Sequence, residues 1–415
     1  MSGYFNSVWP GEDGGPQRLA HAPPGSGLDL KPSERLTNVT RRTQMSTMTV
    51  LGARGEVYLL HHSAIRSRFG LPTTAQVERI DPLTLKPLAK SPRLPGGPMW
   101  PGGMAVHANG DLYTVYGRWA HRLARDCQIK AALQLPVNLA YNSFVILDNG
   151  LIVTKNLSDM VRAQLSVIDP ETMQPACAPI ECPEPSIARL SAVGNSVYVV
   201  GVRSIFRYHW DGNSLACDPD WRFDYVGDSG QSYGWDVVLD GTNAWFMDNG
   251  KHRYVTSMIG RGVSPTPNRL IRVSLADARD HQTVPISGMA GGSITNPPVY
   301  DPARGIIIGF DSANRLMQAW RYRSGNLTPL WQKRDFGCAS HMIIEPDSGH
   351  LITNDYRKRG EEVVVLDIET GTELGRTRIG GINQGVVFPS VGWNRDIYWC
   401  SMGRVARVSV VQDQD

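Results

Sequence analysis

The chain has 415 residues, of which 20% are charged and 41% are hydrophobic, and its formal net charge is +3. This small charge argues against a nucleic-acid partner, because nucleic-acid-binding domains are usually strongly basic. The 42 glycines and 28 prolines indicate a folded chain that is rich in turns and poor in helices.

The sequence gives no sign of export or of a membrane partner. No apolar run approaches the ~18 residues that cross a membrane, and the first residues lack the basic start and apolar core of a signal peptide. We therefore expect a cytoplasmic protein with no membrane partner, whose six cysteines are reduced thiols without a CxxC spacing. A disulfide between Cys177 and Cys182 is the alternative if the protein is exported by another route.

A pair of short strands joined by an Asn, Asp or Gly turn recurs from one end of the chain to the other. Such turns are the strongest local signal for a β-hairpin. In chain order the eight predicted hairpins are residues 48–62, 104–118, 144–156, 189–203, 235–250, 297–311, 342–355 and 386–401.

A second predicted hairpin, with an aspartate that opens its turn, lies between some of the first. Its four copies are residues 77–91, 165–179, 268–282 and 363–377. The aspartate carboxylate can accept hydrogen bonds from backbone amides inside the turn. The two hairpins together make a four-stranded unit.

Four strands per unit, repeated about eight times without a long helix, predict an all-β protein with a β-propeller fold. We expect eight four-stranded blades, with seven as the alternative, because a single blade cannot bury its own faces and must stack on neighbours. The last repeat stops after three strands. Residues 1–44 are therefore predicted to be an N-terminal arm that wraps or closes the ring, and residues 45–415 to be the propeller.

The aspartate turns also carry a resemblance to a known superfamily. The turns at Asp81-Pro82-Leu83-Thr84, Asp169-Pro170-Glu171-Thr172 and Asp367-Ile368-Glu369-Thr370-Gly371 look like those of quinoprotein-like and YVTN-type propellers. The resemblance covers about residues 45–410 and is architectural. Quinoprotein dehydrogenases are typically exported and often hold their quinone against two adjacent cysteines. This chain has neither feature, so no quinone cofactor is expected.

Pooling equivalent positions of the blades predicts one ligand-binding surface. In propellers the innermost strands start near one mouth of the channel, and the loops between second and third strands open on the same face. The predicted ligand-binding residues at strand starts are Asn142, Ser143, Tyr233, Trp235, Asn296, Ser340 and Gln384. Those on the rim are Arg118, Lys155, Arg203, Asp248, Asp355 and Lys358. Rim cations would favour an anionic ligand, which the inner ring would orient by hydrogen bonds.

His341 is the predicted acid/base residue, because an imidazole held by a strand can transfer a proton near neutral pH. Asp236, at a comparable position in another blade, is its predicted partner. No metal site is predicted, because local ligand pairs such as HxH or HExxH do not occur. A divalent metal, if one is required, would bind through His341 and His62.

Three functions remain as hypotheses. The first is an enzyme that acts on a small anionic or polar organic molecule by acid/base chemistry, as a lyase, isomerase or hydrolase. The second is a non-catalytic propeller that binds other proteins, and the third is a quinone-dependent oxidoreductase. An enzyme needs His341 and Asp236 in one cavity, whereas a scaffold needs a plugged channel. The substrate and the oligomeric state are not predicted.

Overall fold

The computed structural model describes residues 3–413 except 64, 65, 67, 68, 70, 99, 228, 229, 254–260, 358, 359 and 382–387. Within these residues the chain forms 34 β-strands and one 3₁₀ turn, Glu12–Gly14, and no α-helix. No helix in the described ranges is long and apolar enough to cross a membrane. The turn-rich composition is thus that of an all-β protein, as predicted.

The strands follow one another in sets, and each set forms an antiparallel sheet. The first two sets comprise β1 (Glu34–Leu51), β2 (Val57–His62), β3 (Thr73–Ile80), β4 (Pro87–Lys90) and β5 (Leu94–Gly97), then β6 (Gly103–Val106), β7 (Leu112–Tyr116), β8 (Trp119–Leu123) and β9 (Ile129–Gln134). The next two comprise β10 (Tyr141–Ile146), β11 (Ile152–Asn156), β12 (Ser158–Asp169), β13 (Gln174–Pro175) and β14 (Ile180–Ser186), then β15 (Ser191–Val193), β16 (Ser196–Val200), β17 (Ser204–Trp210) and β18 (Leu215–Asp224).

The second half of the chain continues the pattern. The fifth set is β19 (Val238–Leu239), β20 (Asn243–Met247), β23 (Arg269–Ser274) and β24 (His281–Pro285), with a separate ribbon of β21 (His252–Arg253) and β22 (Arg261–Gly262) inserted in it. The sixth and seventh are β25 (Val299–Asp301), β26 (Ile306–Asp311), β27 (Leu316–Arg323) and β28 (Asn326–Arg334), then β29 (Ile343–Glu345), β30 (His350–Arg357), β31 (Gly360–Asp367) and β32 (Glu373–Arg378). The chain ends with β33 (Ser390–Val391) and β34 (Asp396–Gln412).

All eight predicted hairpins are present. They are the strand pairs β1–β2, β6–β7, β10–β11, β15–β16, β19–β20, β25–β26, β29–β30 and β33–β34. The aspartate-turn hairpins are also present, as β3–β4, β12–β13, β23–β24 and β31–β32. In the second of these, the Asp169 carboxylate accepts backbone hydrogen bonds from Glu171 (2.8 Å) and Thr172 (2.9 Å). The repeated sheets are the blades of the predicted propeller, and we call them blades below.

The two ends of the chain are joined through β1. Its first part pairs with β34, from Glu34 opposite Gln412 to Met45 opposite Met402. Its second part pairs with β2 and is the innermost strand of the first blade. The last repeat therefore gains a further strand from residues near the N-terminus, and the first and last blades share one seven-stranded sheet.

Residues 3–30, which we call the N-terminal segment, lie where the blades meet. Its carbonyl groups at positions 9, 10, 16, 17 and 20 accept hydrogen bonds of 2.8–2.9 Å from the backbone N–H groups of Leu51, Val106, Ala192, Leu239 and Ile344. Each of these donors lies within or at the end of the first strand of a different blade. One short segment can reach the first strands of five blades only where these strands come close together, so it lies near the propeller axis.

Neighbouring blades pack through large aromatic and aliphatic side chains. Trp245 on β20 stacks on Tyr300 on β25 in the next blade, with ring centroids 5.0 Å apart. Both side chains are buried. Burial of such rings contributes most of the stabilisation between blades, at roughly 25 cal/mol per Å² of apolar surface, and it holds the innermost strands around the axis.

Candidate functional site

A group of buried polar residues surrounds the axis next to the N-terminal segment. Each has at most 7% of its surface exposed. We call this group the axial cluster, and its members are Glu12, Asp13, Arg18, Ser143, Lys155, Arg189, Asp236 and His341. Burial of so many charged groups is costly unless each is paired, so the contacts of each member are informative.

The N-terminal segment supplies both acidic and basic members of the cluster. The 3₁₀ turn Glu12–Gly14 presents adjacent carboxylates, and Asp13 takes up a positive φ of 49°, which aspartate tolerates better than most residues. Arg18 returns to this turn and binds Glu12 at 2.8 Å and Asp13 at 3.0 Å. Arg18 also donates to Ser143 Oγ (3.1 Å), so the segment is tied to the start of β10.

His341 is oriented by a carboxylate. Its Nδ1 lies 2.8 Å from Asp13 Oδ1, and its ring packs on Phe388 with centroids 4.0 Å apart. Neither ring nitrogen has a well-formed hydrogen bond to a residue that the structure describes, so Asp13 holds Nδ1 by close contact, and Nε2 has no such neighbour. Burial raises the pKa of Asp13, but His341 and Arg18 lower it by more, so this pKa lies below its usual value. The arrangement fixes one ring nitrogen and leaves the other for a further contact.

Arg189 is the least satisfied cation of the cluster. Its backbone N–H donates to Asp236 Oδ1 (2.7 Å), but its guanidinium only approaches Glu12 and Asp236, at 3.6 Å each. None of the guanidinium nitrogens has a hydrogen-bond partner among the described residues, although the group is 0% exposed. It lies over the Phe388 ring at 4.6 Å. Buried donors of this kind normally have partners.

Lys155, on β11, is the second cation from the blades. Its Nζ donates to Ser186 O at 3.2 Å, and the residue is 1% exposed. Burial lowers the pKa of Lys155 to about 7, with smaller effects from Cys182 and Asp236, which raise it, and from Arg189, which lowers it. Ser186 ends β14 and is followed by the connection 187–190 that carries Arg189, so the Lys155 amine binds the chain just before this connection.

The axial cluster has more basic than acidic side chains. The basic ones are Arg18, Lys155, Arg189 and His341, and they meet the carboxyl groups of Glu12, Asp13 and Asp236. Burial raises the pKa of Glu12 in spite of the opposing effects of Arg18 and Arg189, which moves this acid toward its neutral form. The two guanidinium groups are always charged, and an additional anion would offset any further charge on Lys155 or His341.

Several predicted site residues come together here. Ser143, Lys155, Asp236 and His341 are members of the cluster, and Asn142 donates to Ile187 O (3.0 Å) beside Arg189. Among the described contacts, no ion pair links His341 to Asp236, the predicted partner. Asp13 lies in that position, and Asp236 instead binds the backbone of Arg189.

Other predicted residues make their contacts elsewhere, within one blade or between two. Asn296 donates to Ala339 O (2.9 Å), and Ser340 Oγ to Glu361 (3.3 Å). Asp248 accepts from Arg269 (2.8 Å) and Asp355 from Arg376 (2.9 Å). Tyr233 and Trp235 are buried, with ring centroids 6.4 Å apart.

The predicted rim cations are spread over the surface. Arg118 donates to Leu135 O (2.8 Å) and lines a cavity of about 350 Å³ with Gly96 and Trp119 between the first two blades. Arg203 donates to Gly227 O (3.1 Å). Gln384 and Lys358, also predicted ligand residues, lie outside the described residues.

The structure also describes the residues of the alternative metal site and of the alternative disulfide. His62 packs against Tyr116, with ring centroids 5.2 Å apart. No group of three or more His, Cys, Asp or Glu side chains that could hold a metal occurs within the described ranges. All six cysteines, including Cys177 and Cys182, are free thiols.

Sequence reasoning missed four members of the cluster: Glu12, Asp13, Arg18 and Arg189. The only local signal for the first two is an adjacent acidic pair in a glycine- and proline-rich arm, "WPGEDGGP". Arg189 is the first residue of the predicted hairpin 189–203, and Arg18 has no distinctive context. Their roles depend on the path of the N-terminal segment along the axis.

The sequence matches no protein-family model and no curated protein. Many solved structures match the fold. A europium-containing methanol dehydrogenase is 11% identical with a TM-score of 0.66, and the match covers 99% of this chain and 98% of that one. A quinohemoprotein alcohol dehydrogenase from Comamonas testosteroni is 10% identical with a TM-score of 0.63, and the match covers 98% of this chain and 81% of that one. The Dos1 propeller is 9% identical with a TM-score of 0.58, and the match covers 93% of this chain and 96% of that one.

The chain has the fold of a quinoprotein-like β-propeller. The predicted resemblance is therefore confirmed at the level of architecture, which is all that identities near 10% show. The sequence lacks the adjacent cysteines often found at quinone sites. In the axial cluster Arg18, Arg189 and His341 lie close to the carboxyl groups of Glu12, Asp13 and Asp236.

Proposed function

We propose that this propeller binds a small organic anion at the axial cluster, between Arg189 and His341. The observation that carries the proposal is the buried Arg189 guanidinium, which has no hydrogen bond among the described residues. A planar guanidinium pairs with a carboxylate through two parallel hydrogen bonds. An anion here would satisfy these donors and offset the excess of basic groups.

His341 would act on the bound anion as an acid or base. Asp13 orients the imidazole through Nδ1, which leaves Nε2 to exchange a proton with the ligand. This geometry supports proton-transfer chemistry of the lyase, isomerase or hydrolase type. Asp236 would position Arg189 by binding its backbone N–H.

A non-catalytic propeller is the second candidate. The observation that favours it is the N-terminal segment, which lies near the axis, together with the burial of His341 and Asp236 at 1% and 0% exposure. In that case the axial cluster would hold the N-terminal segment in place, and water would satisfy Arg189.

We also infer that the ring has eight blades. The seven-stranded sheet would count as two, because β1 serves the last blade with its first part and the first blade with its second part. The six other sheets of four or five strands would each count as one. The inserted two-stranded ribbon would not be a blade.

Calorimetric titration tests the proposed ligand site. Acetate, pyruvate, malonate and inorganic sulfate are titrated into the full-length protein, into Arg189→Met and into Arg279→Met. Arg279 is a matched control because its side chain is 92% exposed. We expect at least one carboxylate to bind the wild type, binding to weaken at least about tenfold in Arg189→Met, and Arg279→Met to bind like the wild type.

Arg189→Met removes the guanidinium that lies 3.6 Å from the Glu12 and Asp236 carboxylates, so Arg189→Lys, which keeps the charge, serves as a second variant. It should fold and bind the same carboxylate with an affinity between those of wild type and Arg189→Met. Equal affinity in all three proteins would overturn the Arg189 site. Absence of binding by any of the four anions to the wild type would favour the non-catalytic candidate.

A further inference from the structure

Lys155 differs from the surface lysines in its surroundings. Lys31, Lys90 and Lys130 have side chains that are 55%, 52% and 45% exposed and bind carboxylates. Lys155 is 1% exposed, and its hydrogen bond goes to a neutral carbonyl, that of Ser186. Within the described part of the chain no carboxylate lies within ion-pairing distance of its Nζ. This amine is buried without a counter-charge.

Such surroundings favour the neutral form of a lysine. Removal from water disfavours the ammonium, and a nearby cation disfavours it further. Both conditions hold at Lys155, whose pKa falls to about 7 chiefly through burial; the Arg189 charge also lowers it, while Cys182 and Asp236 raise it. A neutral amine has a free electron pair and can attack a carbonyl carbon, as lysines in desolvated sites do.

The Lys155 amine, on β11, binds the end of β14, and Arg189 lies on the short connection that follows β14. Lys155 Nζ binds the last residue of β14, Ser186, and Arg189 is the third residue after it, fixed by the Asp236 carboxylate. Asn142 and Arg18 hold the same connection through Ile187 O and Leu190 O, both at 3.0 Å. The backbone between the two basic groups is therefore rigidly held.

We propose that Lys155 forms an imine with a 2-oxo acid whose carboxylate is bound by Arg189. The proposal rests on the proposed function, because it uses the same anion site, and it narrows the ligand to an anion that carries a ketone or aldehyde next to its carboxylate. In such a ligand the electrophilic carbonyl carbon is adjacent to the carboxylate. Binding of the carboxylate by Arg189 would therefore bring this carbon close to the Lys155 amine.

The step balances without an oxidant or a further reactant. The nitrogen electron pair of Lys155 forms the C–N bond, and the carbonyl oxygen takes the π electrons and a proton to give a carbinolamine. The C–O bond then breaks, the oxygen leaves as water, and the nitrogen becomes doubly bonded to carbon. Both hydrogens of the released water correspond to those lost by the amine, so the net reaction is amine plus ketone giving imine plus water.

Reductive trapping tests the imine. The full-length protein is incubated at pH 7 with sodium pyruvate and cyanoborohydride, digested, and mapped by mass spectrometry for a carboxyethyl group on lysine. At this pH a lysine with an ordinary pKa near 10.4 is almost entirely protonated, so we expect Lys155 to be labelled at least about tenfold faster than Lys130. Lys155→Met should lose this label, and Lys130→Met should keep it.

Two further arms keep the outcomes distinct. Acetone replaces pyruvate as an uncharged ketone, and Arg189→Lys should slow labelling by pyruvate more than labelling by acetone. If Lys155→Met does not fold, Lys155→Arg, which keeps the cation but forms no imine, replaces it. Labelling of Lys155 at the rate of the exposed lysines would overturn the proposal.

The trapping result separates this proposal from the proposed function. Pyruvate binding that depends on Arg189 in calorimetry, without a label on Lys155, would reject the imine and leave the anion site standing. Absence of both binding and labelling would reject both. Equal preference for acetone and pyruvate would reject the 2-oxo acid as the ligand class.

Discussion

At the scale of single residues, Glu361 has the most unusual surroundings outside the axial cluster. Its Oε1 accepts hydrogen bonds from Asn354 (3.0 Å), Trp399 (3.2 Å) and Ser340 (3.3 Å), all uncharged donors from two neighbouring blades. The residue is 0% exposed, and burial raises the pKa of its carboxyl group to about 7. The buried thiols of Cys338 and Cys400 lie near it, and no described cation pairs with it.

Glu361→Gln should remove a pH dependence of stability. Because the folded pKa is raised above the unfolded value, the folded state binds more protons, and stability falls as pH rises from about 4.5 to about 7. The variant should be more stable than the wild type by on the order of 1–3 kcal/mol at pH 8 and by much less at pH 5. Denaturant unfolding at both pH values measures this difference.

Glu181→Gln is the control for that series, because the Glu181 side chain is 61% exposed. The free energy of unfolding of this variant should differ little from that of the wild type at both pH values. A Glu361→Gln difference that is the same at pH 5 and pH 8 would show that the carboxyl group ionises normally.

At the scale of elements, the aspartate turns show why the hairpins could be predicted. Asp81, Asp169 and Asp367 each accept two backbone N–H groups from the residues two and three positions later. The residue after each turn threonine, at positions 85, 173 and 371, has a positive φ between 54° and 70°. These features depend on five consecutive residues, so the local sequence contains the whole signal.

Asp169→Ala should destabilise the protein through the loss of two turn hydrogen bonds. We expect a loss of about 1–2 kcal/mol, because a net contribution near 1 kcal/mol per hydrogen bond is typical. Asp347→Ala is the matched control, since Asp347 also lies in a hairpin turn but its carboxylate has no hydrogen-bond partner among the described residues. Thermal or denaturant unfolding measures the stability of both variants. Equal losses of stability would contradict the role of the Asp169 carboxylate.

At the scale of the whole molecule, the N-terminal segment connects the blades and completes the axial cluster. Arg18 alone binds two carboxylates of its own segment and two blade groups, Ser143 Oγ and Leu190 O. These contacts are fully buried. The segment is therefore an integral part of the fold, and its charged side chains bind groups of the blades as well as one another.

Arg18→Met should destabilise the whole protein by about 3–5 kcal/mol, because it leaves Glu12 and Asp13 as buried carboxylates without their shared cation. Glu12→Gln should cost less, since burial already shifts the Glu12 pKa toward the neutral form. Denaturant unfolding with Arg162→Met as an exposed control gives the comparison. A change below about 0.5 kcal/mol in Arg18→Met, as for ordinary surface substitutions, would show that the segment is not anchored by Arg18.

The sequence predicted the fold more fully than the site. Hairpins and turns are local, and the repeat register placed His341, Asp236 and Ser143 at strand starts, where they are found. Asp13 and Arg18 reach the axis only because the N-terminal segment pairs with innermost strands far along the chain. No local pattern specifies such long-range pairing, so the carboxylate next to His341 could not be predicted. Of the described rim cations, Arg118 and Arg203 bind carbonyl groups of their own blades, and Lys155 is buried in the axial cluster.

The central claim is that the buried Arg189 guanidinium holds a small organic anion on the propeller axis. A crystal structure of the full-length protein grown with pyruvate tests it most directly. We predict density for the carboxylate within about 3 Å of the Arg189 nitrogens, beside His341 Nε2. Density at Arg189 that fits only water, with pyruvate absent or bound elsewhere on the propeller, would contradict the claim.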